Sequence, residues 1–96
     1  MFRTIVVRGH RGAIVWGAGE AAALSSWAVA RDAEARWTLS ARVARSDGYR
    51  LRQVPLLFQA PRVMKPAGLW CFPVLPNTLS LNGDALTAQL GPPEGR

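Results

Sequence analysis

The side chains in this chain that could do covalent or metal chemistry are few and scattered. There is one histidine, His10, and one cysteine, Cys71, far apart in sequence. Two such ligands do not make an ordinary zinc site, which takes four. Six carboxylates complete the set, and Asp32, Glu34, Asp47 and Asp84 fall in stretches that read as turns. Aspartate is common in turns because its carboxylate accepts hydrogen bonds from nearby backbone. Ser25 or Ser26 with His10 and an acid could be drawn as a triad, but nothing in the spacing brings them together. His10 lies in a Gly/Arg turn and is expected to be exposed. Cys71 sits between Trp70 and Phe72, where a buried structural thiol is expected rather than a nucleophile. The chain reads as non-enzymatic, with no cofactor and no metal.

One motif invites a nucleotide reading. Gly17-Ala18-Gly19-Glu20-Ala21-Ala22 follows an apolar strand and fits the loose pattern G-x-G-x-x-A. A dinucleotide fold needs several βαβ units behind such a loop, with an acidic residue about 20 positions on for the ribose. Asp32 and Glu34 come too early, and the following sequence is short and strand-like. The stretch is read as a Gly-rich loop between β elements.

The stronger chemical signal is cationic. Eleven arginines and one lysine leave a net charge of +6. Residues 1–65 hold eleven of these twelve cations against four carboxylates. Guanidinium groups suit bidentate contact with phosphates and carboxylates, so a partner of negative potential is expected. The candidate face is Arg36, Arg42, Arg50 and Arg52, with Arg31, Arg45 and Arg62 as possible additions. Four tryptophans accompany them. Trp16, Trp27 and Trp37 are assigned to the core, while Trp70, in a proline-bounded segment, is the candidate interface anchor.

The elements that must position these residues are strands. From Arg36 to Arg45, Trp37, Leu39, Ala41 and Val43 alternate with polar residues, the period of a strand. Ser46-Asp47-Gly48 is turn chemistry, and Tyr49, Leu51 and Gln53 resume the alternation. The stretch Ala35 to Ala60 therefore predicts one long hairpin. A three-residue loop would pair Val43 with Leu51 and Arg45 with Tyr49, and set Arg42 opposite Arg52. Phe2 to Arg8 and Ala13 to Trp16 predict an opening hairpin about Gly9–Gly12. Trp27 to Arg31 predicts a strand joined to the next by Asp32-Ala33-Glu34, pairing Val29 with Trp37. Pro55 marks an edge, bulge or break. Leu69 to Leu75 is a dense apolar segment, and Asn82-Gly83 predicts a two-residue hairpin turn pairing Leu79 with Leu86.

The expectation is an all-β domain over residues 1–90: a small antiparallel barrel or sandwich of seven to eight short strands in meander order. It leaves room for one short helix near residues 20–25, and residues 91–96 read as a flexible tail. The lone cysteine fits a reducing compartment. No signal peptide is read at the N-terminus, because Arg3 and Arg8 interrupt its apolar run. No apolar run reaches the roughly 18 residues of a membrane span. The expected location is the cytoplasm, or a virion if a phage encodes the chain. The expected function is a non-catalytic interaction module of a larger, oligomeric assembly, plausible as a small bacteriophage connector, tail or decoration part. The alternative is a small barrel that binds nucleic acid through its Arg-rich face.

Overall fold

The computed structural model describes residues 3–16, 20–51, 56–62 and 68–95, with side chains left out at 3–6, 94 and 95. Nine strands are formed: β1 (Arg3–Gly9), β2 (Gly12–Trp16), β3 (Glu20–Asp32), β4 (Trp37–Val43), β5 (Leu56–Pro61), β6 (Leu69–Val74), β7 (Ser80–Asn82), β8 (Ala85–Leu90) and β9 (Glu94–Gly95). A single helical turn, α1 (Arg45–Gly48), follows β4. Six strands close into an antiparallel barrel in the order β2-β3-β4-β8-β6-β5 and back to β2. Closure rests on Val74 opposite Leu90, where the Leu75 N–H donates to the Gln89 carbonyl at 2.9 Å and the Gly91 N–H to the Pro73 carbonyl at 2.8 Å. β1 joins the edge of β3, β7 joins β8, and Glu94–Gly95 of the C-terminal stretch lies against Trp70 and Cys71 of β6.

The barrel interior follows from alternation along each strand. Trp27, Val29, Leu39, Ala41 and Val43 point inward from β3 and β4, with Leu56, Phe58 and Ala60 from β5 and Leu86, Ala88 and Leu90 from β8. Inward residues meet across the ladder in rows such as Ile14–Phe58–Phe72 and Val29–Leu39–Ala88. Phe58 and Phe72 are 0% exposed and their rings lie 5.9 Å apart, with Trp27 edge-on to Phe58 at 5.1 Å. Burying such a side chain contributes roughly 1.5–3 kcal/mol, so this aromatic cluster is a main support of the fold.

Several expected pairings are replaced. The central hairpin over residues 35–60 does not form: β4 lies between β3 and β8, and β5 between β2 and β6. Where the turn was expected, α1 carries the chain off the ladder, with Gly48 N–H donating to the Ala44 carbonyl at 3.0 Å. Alternation fixes which face a residue takes and leaves its neighbour open. The inward rows of β4 are satisfied by β3 and β8 instead. The opening hairpin is also absent. β1 and β2 follow one another along the same edge of β3, β1 against Trp27–Asp32 and β2 against Glu20–Leu24. Meander order is kept along β2–β3–β4, in β5–β6 and in β7–β8, and is broken between β1 and β2, β4 and β5, β6 and β7, and β8 and β9. No helix occupies residues 20–25, because the Ala-rich run is the first half of a 13-residue strand whose Ala22 and Leu24 enter the core.

Two hairpins form with altered register. In β3–β4, Val29 faces Leu39 and Arg31 faces Trp37, a shift of two residues that preserves parity. In β7–β8 the turn residues are Gly83-Asp84, so Leu81 faces Leu86 and Asn82 faces Ala85. Gly83 has φ +66°, in the left-handed region where glycine carries no steric cost. Trp16 and Trp27 are buried as expected, whereas Trp37, Trp70 and Cys71 are only half-buried. The three glycine-loop residues 17–19, Arg52, Pro55 and residues 63–67 lie outside the described residues.

Candidate functional site

The arginines singled out in the sequence are not gathered on one face. Arg36 closes the β3–β4 hairpin: its Nε donates to Asp32 Oδ2 at 3.1 Å, and its guanidinium also pairs with Glu34. Asp32 in turn accepts the backbone N–H of Glu34 and of Arg36 at 2.9 Å each. These N–H donors, that of Arg36 foremost, with the Arg36 guanidinium, hold the Asp32 carboxyl below its usual value of 3.8. Arg42, six residues along β4, donates to Asp84 Oδ1 at 2.7 Å. Arg50 reaches Asp47 at 3.4 Å and lies over the Trp16 ring at 5.4 Å. The expected facing pair of Arg42 and Arg52 involves a residue outside the described ones. Arg42 faces Ser26 on one side and Ala85 on the other.

A different set of cations is brought together. Arg8, Ala28, Ser40 and Thr87 form one continuous row across β1, β3, β4 and β8. Residues directly opposite in a ladder share a face. At about 4.8 Å per strand, the row runs roughly 14 Å from the guanidinium-bearing strand to the second hydroxyl. Arg8, Ser40 and Thr87 are all exposed. The adjacent row is Ser26–Arg42–Ala85. His10 and Arg11 follow β1 and are also exposed.

These strands line a groove of about 820 Å³ that extends to Pro61 and Trp70. Its chemistry is one-sided: Arg8, His10, Arg11 and Arg42 contribute cationic or donor groups, Ser26, Ser40 and Thr87 contribute hydroxyls, and among the described side chains no carboxylate lines it. Among the described residues no carboxylate pairs with Arg8 or Arg11. A second concavity, of about 660 Å³, holds Arg42 and Arg45 with Asp47 and Asp84, so its charge is balanced internally.

Local structure explains how β1 delivers its arginines. The Trp27 indole N–H donates to the Arg11 carbonyl at 2.7 Å. The same ring lies against Gly9 and Gly12, where a Cβ would come within 2.8 and 3.0 Å of it. The two glycines let the β1–β2 corner approach the ring, and the hydrogen bond holds Arg11 at the groove. Trp70 follows the inward parity of β6 at the barrel end. It stacks on Phe72 at 5.8 Å, half-buried, with the Arg62 guanidinium 4.7 Å from its ring centre.

Sequence reading found Arg42 and Trp70 and missed Arg8, His10 and Arg11. Their signal was lost because β1 was expected beside β2 rather than beside β3. The small outward residues of β3 and β4, Ser26, Ala28 and Ser40, were a second, overlooked signal, since small side chains leave backbone open to close approach. Among the described residues no three His, Cys, Asp or Glu side chains come together as a metal site. No family model, curated protein or solved structure matches this chain. Among the described residues, no helix is long and apolar enough to cross a membrane.

Proposed function

We propose that this chain is a non-catalytic interaction module that works as one part of a larger assembly. The observation that supports this reading is a set of open sheet edges, which among the described residues includes the two-residue β9 beside β6. Among the described residues, β1 and β7 each pair with a single strand, β3 and β8 respectively. Unpaired backbone donors and acceptors on such edges are templates for strand addition by another chain. The β7 edge carries an apolar mark as well. Leu81 is 38% exposed and lies over Gly48, next to Tyr49, which is 89% exposed. A large aromatic so fully in water is the kind of side chain that anchors interfaces.

Small β modules with open edges are the parts from which bacteriophage particles build connectors, tails and decorations, and the chain is proposed for a role of that kind. This step is an analogy of architecture. Its proposed place is the cytoplasm or a particle assembled there. Size-exclusion chromatography with light scattering tests the reading. A discrete oligomer that Tyr49→Arg dissociates, with the barrel still folded, is the expected result. A monomer at all concentrations that also fails to join any particle on co-expression with its genomic neighbours would sink the reading.

A further inference from the structure

We propose that the groove across β1, β3, β4 and β8 binds single-stranded nucleic acid, with its phosphates on Arg8, Arg11 and Arg42 and a base against Trp70. This site lies on the sheet face and shares β1 with one of the open edges, but its ligand contacts are side chains rather than the edge backbone. It shares only Arg42 with the Arg36–Arg42–Arg50–Arg52 face expected from the sequence: Arg36 and Arg50 lie elsewhere, paired with Asp32 and Asp47, and Arg52 is outside the described residues.

Charge complementarity carries the assignment. Among the described side chains the groove presents guanidinium, imidazole and hydroxyl groups and no carboxylate. Guanidinium and hydroxyl side chains are the groups that hold phosphate oxygens without reading sequence, and the planar guanidinium takes two oxygens at once. Arg8 sits at one end of its row and the Ser40 and Thr87 hydroxyls at the other, over a floor that includes Ala28. A backbone with repeated anions can lie across such a floor. Arg42 is held by Asp84 in an exposed pair. Such pairs are weak, so the guanidinium can turn to a phosphate.

Trp70 distinguishes a nucleic acid from a merely acidic polypeptide. It lines the same groove half-buried, with Phe72 stacked on it and the Arg62 guanidinium over its ring, so a base reaches the ring by displacing Arg62. Base stacking on an aromatic ring beside a basic groove is the general mode of sequence-tolerant single-strand binding. An acidic peptide would meet the arginines and leave that ring unused.

The test is fluorescence anisotropy with a labelled oligothymidylate of about 15 nucleotides, the upper range of one small-barrel site. Poly-glutamate is the competitor. With about three phosphate contacts, affinity should fall roughly 20-fold between about 50 and about 200 mM salt. Arg8→Ala/Arg11→Ala should weaken binding about tenfold or more, and flatten the log–log salt slope by about 1.4. Arg36→Ala, at the far hairpin, should leave binding unchanged. Ser40→Asp places a carboxylate on an exposed position of the groove and should abolish binding. It carries the test if the double variant does not fold. Tryptophan fluorescence should be quenched by the oligonucleotide, and that quenching should be lost in Trp70→Phe. Absence of binding at low salt would overturn the proposal, as would binding indifferent to Arg8, Arg11 and Ser40. Equal competition by poly-glutamate through the same residues would reassign the groove to an acidic protein segment. Each of these results stands whether the chain is monomeric or oligomeric.

Discussion

The indole N–H of Trp27 donates to the carbonyl oxygen of Arg11 at 2.7 Å, which links the centre of the barrel to the corner that presents the free arginines. The ring is 5% exposed and edge-on to Phe58, so its position is set by the core. The corner is then placed by the ring.

That link predicts a sharp steric response. Gly9→Ala would set a Cβ 2.8 Å from Trp27 Cζ2, against a ring that the core prevents from moving. A cost of about 1–3 kcal/mol is expected, as for other overpacked sites. Trp27→Phe removes the indole donor and should cost at least about 1 kcal/mol from the lost hydrogen bond alone. Urea melts of the two variants measure both. Wild-type stability in either one would show that the corner is not held by the ring.

The Asp32 turn predicts a pH effect of known sign. Its folded pKa lies below 3.8 because backbone N–H groups, that of Arg36 foremost, favour the carboxylate. A group with a depressed folded pKa stabilises the fold above its unfolded pKa, and that contribution is lost as pH falls through the folded value. Wild type should therefore lose stability below about pH 4. Asp32→Asn keeps a side-chain carbonyl for the turn but cannot titrate. The stability gap between the two proteins should be constant near neutrality and close in acid. Thermal melts across that range check it, and a gap that widens in acid would contradict the assignment.

The exposed pair of Arg42 and Asp84 should contribute little to stability. Both side chains are more than half exposed. A double-mutant cycle with Arg42→Ala and Asp84→Ala is expected to give a coupling of about 0–1 kcal/mol that fades in salt. A salt-independent coupling above about 2 kcal/mol would mean that Arg42 is locked to Asp84. It would then be unable to serve a ligand.

Truncating Phe58 should be costly. It is fully buried and meets both Trp27 and Phe72. Phe58→Ala should cost about 3–5 kcal/mol, a large share of the roughly 5–15 kcal/mol that holds a domain together. Loss of the cooperative thermal transition or a strongly lowered midpoint is the expected outcome. A variant within about 1 kcal/mol of wild type would show that the aromatic cluster is not the support described.

The strand alternation read from the sequence determined the faces of this protein. Leu39, Ala41 and Val43 point inward because a strand has a period of two, and Asp32 and Gly83 mark turns because their backbone or side-chain chemistry suits them. The candidate site was legible only in part: Arg42 and Trp70 belong to the groove, whereas Arg36 and Arg50 are held at other carboxylates. Which strand lies beside which was left to the tertiary structure. Any antiparallel neighbour can satisfy the same ladder, and loop closure grows only slowly more costly with length. Val43 could meet Leu51 nearby, but the barrel closes only if β4 takes β3 and β8 and leaves β5 to β2 and β6. Closure is a condition on the whole ring of strands, and no local pattern states it. That condition placed Ser40 in one row with Thr87, and β1, pairing with β3 outside the ring, brought Arg8 to the same row and so made the groove.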